Sequence, residues 1–127
     1  MTQIRIKRVY EPASPDDGCR ILVDRLWPRG LRKDTLRYDI WAKEITPSDD
    51  LRRWFHADPE ARWEEFRRRY LAQLRASDAV GRFVEDISRE RTVTLLYASK
   101  QTTRNHALVL QEYLQKALGQ LTAARSE

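Results

Sequence analysis

From Gln3 to Val9 the chain sets Ile4, Ile6 and Val9 among polar residues, the pattern of a half-exposed strand. The stretch from Pro12 to Gly18, with its prolines, aspartates and glycine, ends that strand in a surface loop. Arg20 to Trp27 predicts a second strand, and its unbroken Ile21-Leu22-Val23 run predicts burial on both faces, as in parallel sheets. Pro28-Arg29-Gly30 then forces a turn, because proline presets its φ and glycine permits a positive one. Leu31 to Thr46 carries little periodicity; a short helix over Lys33 to Arg37 and an irregular stretch through Trp41 and Lys43 are expected.

Helical spacing dominates the next part of the chain. Ser48 stands as an N-cap before Asp49 and Asp50, which favour the positive end of a helix dipole, and Leu51, Trp54 and Phe55 face inward. Asp58-Pro59 repeats the start signal for a helix running to about Ala76, with Trp63, Phe66, Tyr70 and Leu74 as its buried stripe. Glu64 and Glu65 precede Arg68 and Arg69 by four residues, which marks the opposite face as solvated. A further helix is expected over Ala79 to Arg89, capped by Asp78, followed by a buried strand over Thr92 to Ala98. A last helix over about Thr103 to Leu121 turns Ala107, Leu110, Leu114, Ala117, Leu118 and Leu121 inward.

These elements predict an α/β fold: a small parallel-containing sheet of three or more strands flanked by helices, in a single domain over residues 1–122, with residues 123–127 as a frayed tail. The helices between residues 26 and 92 fit a right-handed crossover that makes the second strand and the 92–98 strand parallel. Ligands of such sheets gather beyond the carboxyl ends of the strands, here Asp24 to Gly30 and Ser99 to His106.

Composition narrows the setting. The 127 residues suffice for one hydrophobic core, and no apolar run reaches the ~20 residues of a membrane span. Met1 to Tyr10 mixes isoleucine with charged residues and does not read as a signal segment. A single cysteine, Cys19, forms no internal disulfide and no metal cluster, so a cytoplasmic protein without metal or cofactor is expected. With 24 Lys+Arg against 19 Asp+Glu the net charge is +5, mostly arginine in excess, which suits bidentate contact with phosphate or carboxylate. No phosphate-cradling glycine loop, serine elbow or acidic metal cluster occurs in recognisable spacing.

The run Gly18-Cys19-Arg20-Ile21-Leu22-Val23-Asp24-Arg25-Leu26-Trp27-Pro28-Arg29-Gly30 resembles the bacterial domain of unknown function 488 family, in its small YeaO-like branch. Trp41-Ala42-Lys43-Glu44, Pro47-Ser48, Leu51 to Phe55, Asp58-Pro59 and Asn105-His106-Ala107 carry the same resemblance, so it spans nearly the whole chain. It implies a fold class more than an activity. The chain departs from the family pattern at Cys19, where a tyrosine is frequent, at Ala57, where a histidine is frequent, and at Gln101, where an aspartate is frequent.

The candidate ligand-binding residues are Asp24, Arg25, Arg29, Lys43, Lys100 and Asn105, with His106 as the candidate general acid or base. Arg25 and Arg29 beside a turn suit an anion, although Asp24 paired with one of them would serve equally to pin that turn. His56 has a weaker claim. The expected function is binding of an anionic small molecule bearing phosphate or carboxylate, with enzymatic turnover left open. The alternatives are a nucleic-acid-binding or regulatory protein, through the arginines between Arg62 and Arg75, and a partner-binding module with an aromatic patch at Trp41 and Trp54. Oligomeric state is left open.

Overall fold

The structure, a computed structural model, describes residues 2–126. Met1 and Glu127, the outer ends of the expected N-terminal stretch and tail, lie outside the described residues. Four strands, β1 (Gln3–Arg8), β2 (Cys19–Leu22), β3 (Ile40–Trp41) and β4 (Thr92–Tyr97), form one sheet in the order β1-β4-β2-β3, and every pair is parallel. Four helices follow the strands in sequence or cross between them: α1 (Asp49–Ala57), α2 (Pro59–Ala76), α3 (Asp78–Ile87) and α4 (His106–Ser126). This is the expected α/β architecture, and no described helix is long and apolar enough to cross a membrane.

Strand register separates the two faces of the sheet. Ile4, Val93 and Cys19 align across it, as do Ile6, Leu95 and Ile21. These residues belong to one core cluster with Leu51, Phe55, Phe66, Tyr70, Val84, Leu110 and Leu114, so all four helices contribute to the same face. The opposite face is covered by loops. There Leu22 and Leu96 pack with Val9, Trp27, Leu31, Leu36, Tyr38 and Trp41. Ile21, Leu22 and Val23 are each fully buried, as their unbroken apolar run requires.

The boundaries differ where side chains compete with the backbone ladder. β2 ends at Leu22 and not at Trp27: after Val23 donates to the Leu96 carbonyl (3.0 Å), Asp24 turns its carboxylate to the Ala98 N–H (2.9 Å) and its carbonyl to Trp41 Nε1 (2.7 Å). The expected helix at 33–37 is a single turn held by bonds from Thr35 and Leu36 to the Arg32 carbonyl, and the stretch after it contains β3, a strand too short to show a period. Ser48 and Asp58 cap α1 and α2 as their sequences predict. Ser77 caps α3 in place of Asp78, its hydroxyl accepting from the Val80 N–H at 3.3 Å. α4 starts three residues later than expected, where Asn105 Oδ1 accepts from Leu108 N–H, and it runs on through Ser126.

On the loop face the sheet buries a charge pair. Asp17 accepts from Arg20 Nη1, from Lys7 Nζ (2.9 Å) and from the Ser14 N–H (2.9 Å), while its carbonyl accepts from Thr94 Oγ1 (2.7 Å). Gly18 beside it has φ 65°, and a Cβ there would lie 2.2 Å from the Thr92 carbonyl oxygen, so only glycine lets this turn press on β4. Burial pushes the Asp17 carboxyl upward, but the Ser14 N–H and the Lys7 and Arg20 cations outweigh it and hold the pKa at about 2. A depressed carboxylate adds stability that is full above its unfolded value of 3.8 and is lost as pH falls through about 2. Asp17→Ala is expected to cost roughly 3–5 kcal/mol by urea unfolding at pH 7, because Arg20 is left buried without its counter-charge. The wild-type protein should also lose about 2 kcal/mol between pH 4 and 2 that the Asp17→Asn variant does not lose.

Candidate functional site

Beyond the carboxyl ends of β2 and β4 lies a cleft of about 150 Å³, lined in part by Asp24, Arg25, Arg52, His56, Asn105 and His106. It is built where the chain abandons the sheet. Asp24 Oδ2 takes the Ala98 N–H that a longer β2 would have paired, so the β2 and β4 ends diverge and leave space between them. α4 begins at this gap, and its first residue places His106 Nε2 2.8 Å from the Val23 carbonyl and 3.1 Å from Asp24 Oδ1. A carbonyl can only accept, so Nε2 carries the proton and donates it to Val23, while Asp24 Oδ1 lies beside it, buried without a hydrogen-bond partner.

The facing wall is α1. Leu51 and Phe55 point into the core, and Arg52 and His56, four residues apart on one side of that stripe, line the cleft. The two cleft arginines differ in how their donors are used. Arg25 forms an ion pair from Nε to Asp49 (3.0 Å) and points Nη1 at Thr46 Oγ1 (3.5 Å) and the Pro47 carbonyl (3.4 Å). Arg52 has Asp49 at 3.6 Å from Nη2, beyond hydrogen-bond length, and its Nε is buried with no partner. Burying an unpaired donor of a charged group is costly, so Arg52 Nε carries unused hydrogen-bonding capacity. His56 packs its ring against Phe55 (centroids 5.6 Å). Shielding of the ring, with Arg52 and His106 nearby and only Asp24 opposing, holds its pKa below the usual histidine value, so it is mainly neutral at pH 7.

Of the residues singled out in the sequence, Asp24, Arg25, Asn105 and His106 meet in this cleft. Asp24 pairs with His106 and not with an arginine, and its backbone ties make it a pin as much as a site residue. Asn105 caps α4 and donates to the Gln101 carbonyl (2.7 Å). The other three candidates stand apart from the cleft lining. Arg29 is exposed on the turn, where its carbonyl accepts from Tyr10 OH. Lys43 lies 3.9 Å over the Trp41 ring, and Lys100 is exposed on the loop before α4. Arg52 is the residue the sequence reading missed. The signal for it was its spacing from His56 beside an apolar stripe.

The other surfaces considered from sequence are largely occupied. In α2, Arg67 pairs with Glu112, and Arg68 and Arg69 pair with Glu65. Trp54 is half-buried between Arg62 and Arg69, and Trp41 lies under Lys43. Among the described residues no group of three or more His, Cys, Asp or Glu is placed to hold a metal ion. Cys19 is half-buried, and burial beside Asp39 and Glu90 pushes its thiol up to about 11. At pH 8 iodoacetamide should alkylate it at least tenfold more slowly than the same residue in urea-unfolded chain, roughly as the thiolate fraction falls. Asp24→Ala should cost about 1–3 kcal/mol by strand-end loss of the Ala98 acceptor, and Asp24→Asn clearly less, since an amide oxygen still accepts; equal costs in urea unfolding would contradict the pin.

Comparison with known proteins agrees with the resemblance drawn from the motifs. The uncharacterized protein YeaO of Escherichia coli (strain K12) is 51% identical over 111 residues, covering 87% of this chain and 96% of that one. An uncharacterized protein of Mycobacterium tuberculosis (strain ATCC 25618 / H37Rv) and one of Mycobacterium bovis are each 44% identical over 113 residues, covering 89% of this chain and 94% of theirs. No solved structure matches the chain. A family model described as the inactive DUF488-N3 subclade matches residues 3–127, and the chain belongs to that family.

Proposed function

We propose that this protein binds a small anionic molecule in the cleft between α1 and the carboxyl ends of β2 and β4, and that Arg52 is the anchor. The observation that carries this is the unspent guanidinium: Arg52 borders the cleft with a buried, unpartnered Nε and no acceptor within hydrogen-bond length. Arg25 also lines the cleft and holds Asp49, which steadies the start of α1.

Binding is favoured over turnover. Asp24 is held to Ala98 through one carboxylate oxygen and pairs with His106 through the other, and His106 Nε2 is itself held by Val23, so both side chains are engaged in the fold. The family description as an inactive subclade points the same way. The pairing of the α2 arginines with Glu65 and Glu112 weighs against a nucleic-acid surface there. A cytoplasmic location goes with this proposal, on the strength of a lone cysteine, which forms no internal disulfide.

Thermal unfolding with acetate, benzoate or inorganic phosphate at low and moderate salt tests the site. At about 100 times its dissociation constant, a ligand adds about 2.7 kcal/mol, a rise of several degrees. At least one of these anions should give that rise in the wild type and lose it in Arg52→Gln. No rise with any of them, or a rise that survives Arg52→Gln, would contradict the proposal.

A further inference from the structure

We infer that the cleft selects compact monocarboxylic acids with an apolar body over phosphate esters and nucleotides. The inference rests on the anion-binding reading above and specifies its ligand class. Three features of the same cleft carry it.

The first is charge. Arg25 is matched by Asp49 at 3.0 Å, and Asp24 contributes its own carboxylate to the lining. Arg52, with the same Asp49 oxygen at 3.6 Å and its Nε unpartnered, is the less closely held guanidinium and the one left for the ligand. A single carboxylate matches it in a bidentate fork, whereas a phosphate dianion would set a second negative charge beside Asp24. His56, its pKa held below the usual histidine value by partial desolvation and by nearby Arg52 and His106, adds little compensating charge at pH 7.

The second is the nature of the remaining wall. Leu26, Pro47, Phe55 and Phe66 line the cleft alongside the polar groups. Phe55 and Phe66 are stacked with ring centroids 4.1 Å apart and are nearly fully buried, so they present a rigid apolar floor. Leu26 is 62% exposed, one of the few large apolar side chains on the surface, and it stands at this cleft. An apolar ligand body that covers Leu26 gains burial, and a ribose or other polyhydroxyl body finds few partners on such walls.

The third is size. About 150 Å³ is half or less of the roughly 300–1,000 Å³ of sites that enclose drug-sized ligands, and it excludes a nucleotide from full enclosure.

The experiment titrates benzoate, isovalerate, inorganic phosphate and adenosine monophosphate into 15N-labelled wild-type protein, Arg52→Gln and Leu26→Asp, reading amide shifts and fitted affinities. Benzoate or isovalerate should shift cleft amides in the wild type and bind at least tenfold more tightly than phosphate or the nucleotide. Arg52→Gln should abolish the shifts. Leu26→Asp, a change at an exposed position that leaves the folded spectrum intact, should weaken benzoate by about tenfold or more, because a charge then replaces apolar contact. Phosphate or nucleotide binding as tightly as benzoate, and lost in Arg52→Gln, would overturn the carboxylate preference and leave the anion site standing. Benzoate affinity unchanged by Leu26→Asp would overturn the apolar-body assignment. No cleft shift with any of the four ligands would overturn both proposals.

Discussion

A parallel sheet has to be covered on both faces, and in this protein the helices supply only one cover. The second face is closed by loops, and that constraint accounts for features that otherwise look unrelated. The loop between β1 and β2 presses Gly18 on β4 and inserts Asp17 against Arg20. The long segment between β2 and β3 brings Trp27, Leu31, Leu36 and Tyr38 over Leu22 and Leu96. Trp27 lies edge-on to both Tyr38 and Trp41 and donates its ring N–H to the Leu31 carbonyl, so an irregular segment becomes a packed layer. Charged residues on an interior strand position are tolerated only because the loop brings their partners.

The same segment opens the cleft. To cross the sheet and reach β3, the chain must leave β2 early, and Asp24 makes the exit by trading ladder bonds for side-chain bonds to Ala98 and Trp41. The gap between the β2 and β4 ends is then bordered by the first residue of α4 and by one side of α1. Site and fold share their residues: Asp24 is both a strand terminator and part of the cleft, and His106 both starts α4 and bonds the end of β2. A substitution at either position would therefore alter the fold and the cleft together. Leu26, 62% exposed at the cleft edge, is the lining residue least involved in the fold.

Much of this was legible in the residues. The alternation at Ile4 and Ile6, the apolar run at Ile21 to Val23 and the capping signals at Ser48 and Asp58 each state a local preference that the tertiary structure keeps. The early end of β2 was not, because Asp24 and Trp41 are seventeen positions apart and their bond exists only after folding. β3 has two residues and no period to read. Half of the cleft lining followed from a topological rule, that ligands of such sheets gather beyond strand carboxyl ends, which brought Asp24, Arg25, Asn105 and His106 together. The other half came from α1, whose docking over that edge has no signature in the local sequence. Arg25 and Arg52 look equivalent as letters; they differ in that Asp49 holds one closely and leaves the other nearly free.

The central claim is that Arg52 is the unspent cation of this cleft. Arginine side-chain Nε–H resonances, followed by 15N NMR during titration with benzoate, test it directly. The Arg52 resonance should move and sharpen as its proton gains an acceptor, while those of Arg20 and of the paired α2 arginines Arg67, Arg68 and Arg69 stay in place. Movement confined to the α2 arginines, with Arg52 unaffected, would put the anion on the outer helix face and contradict the account.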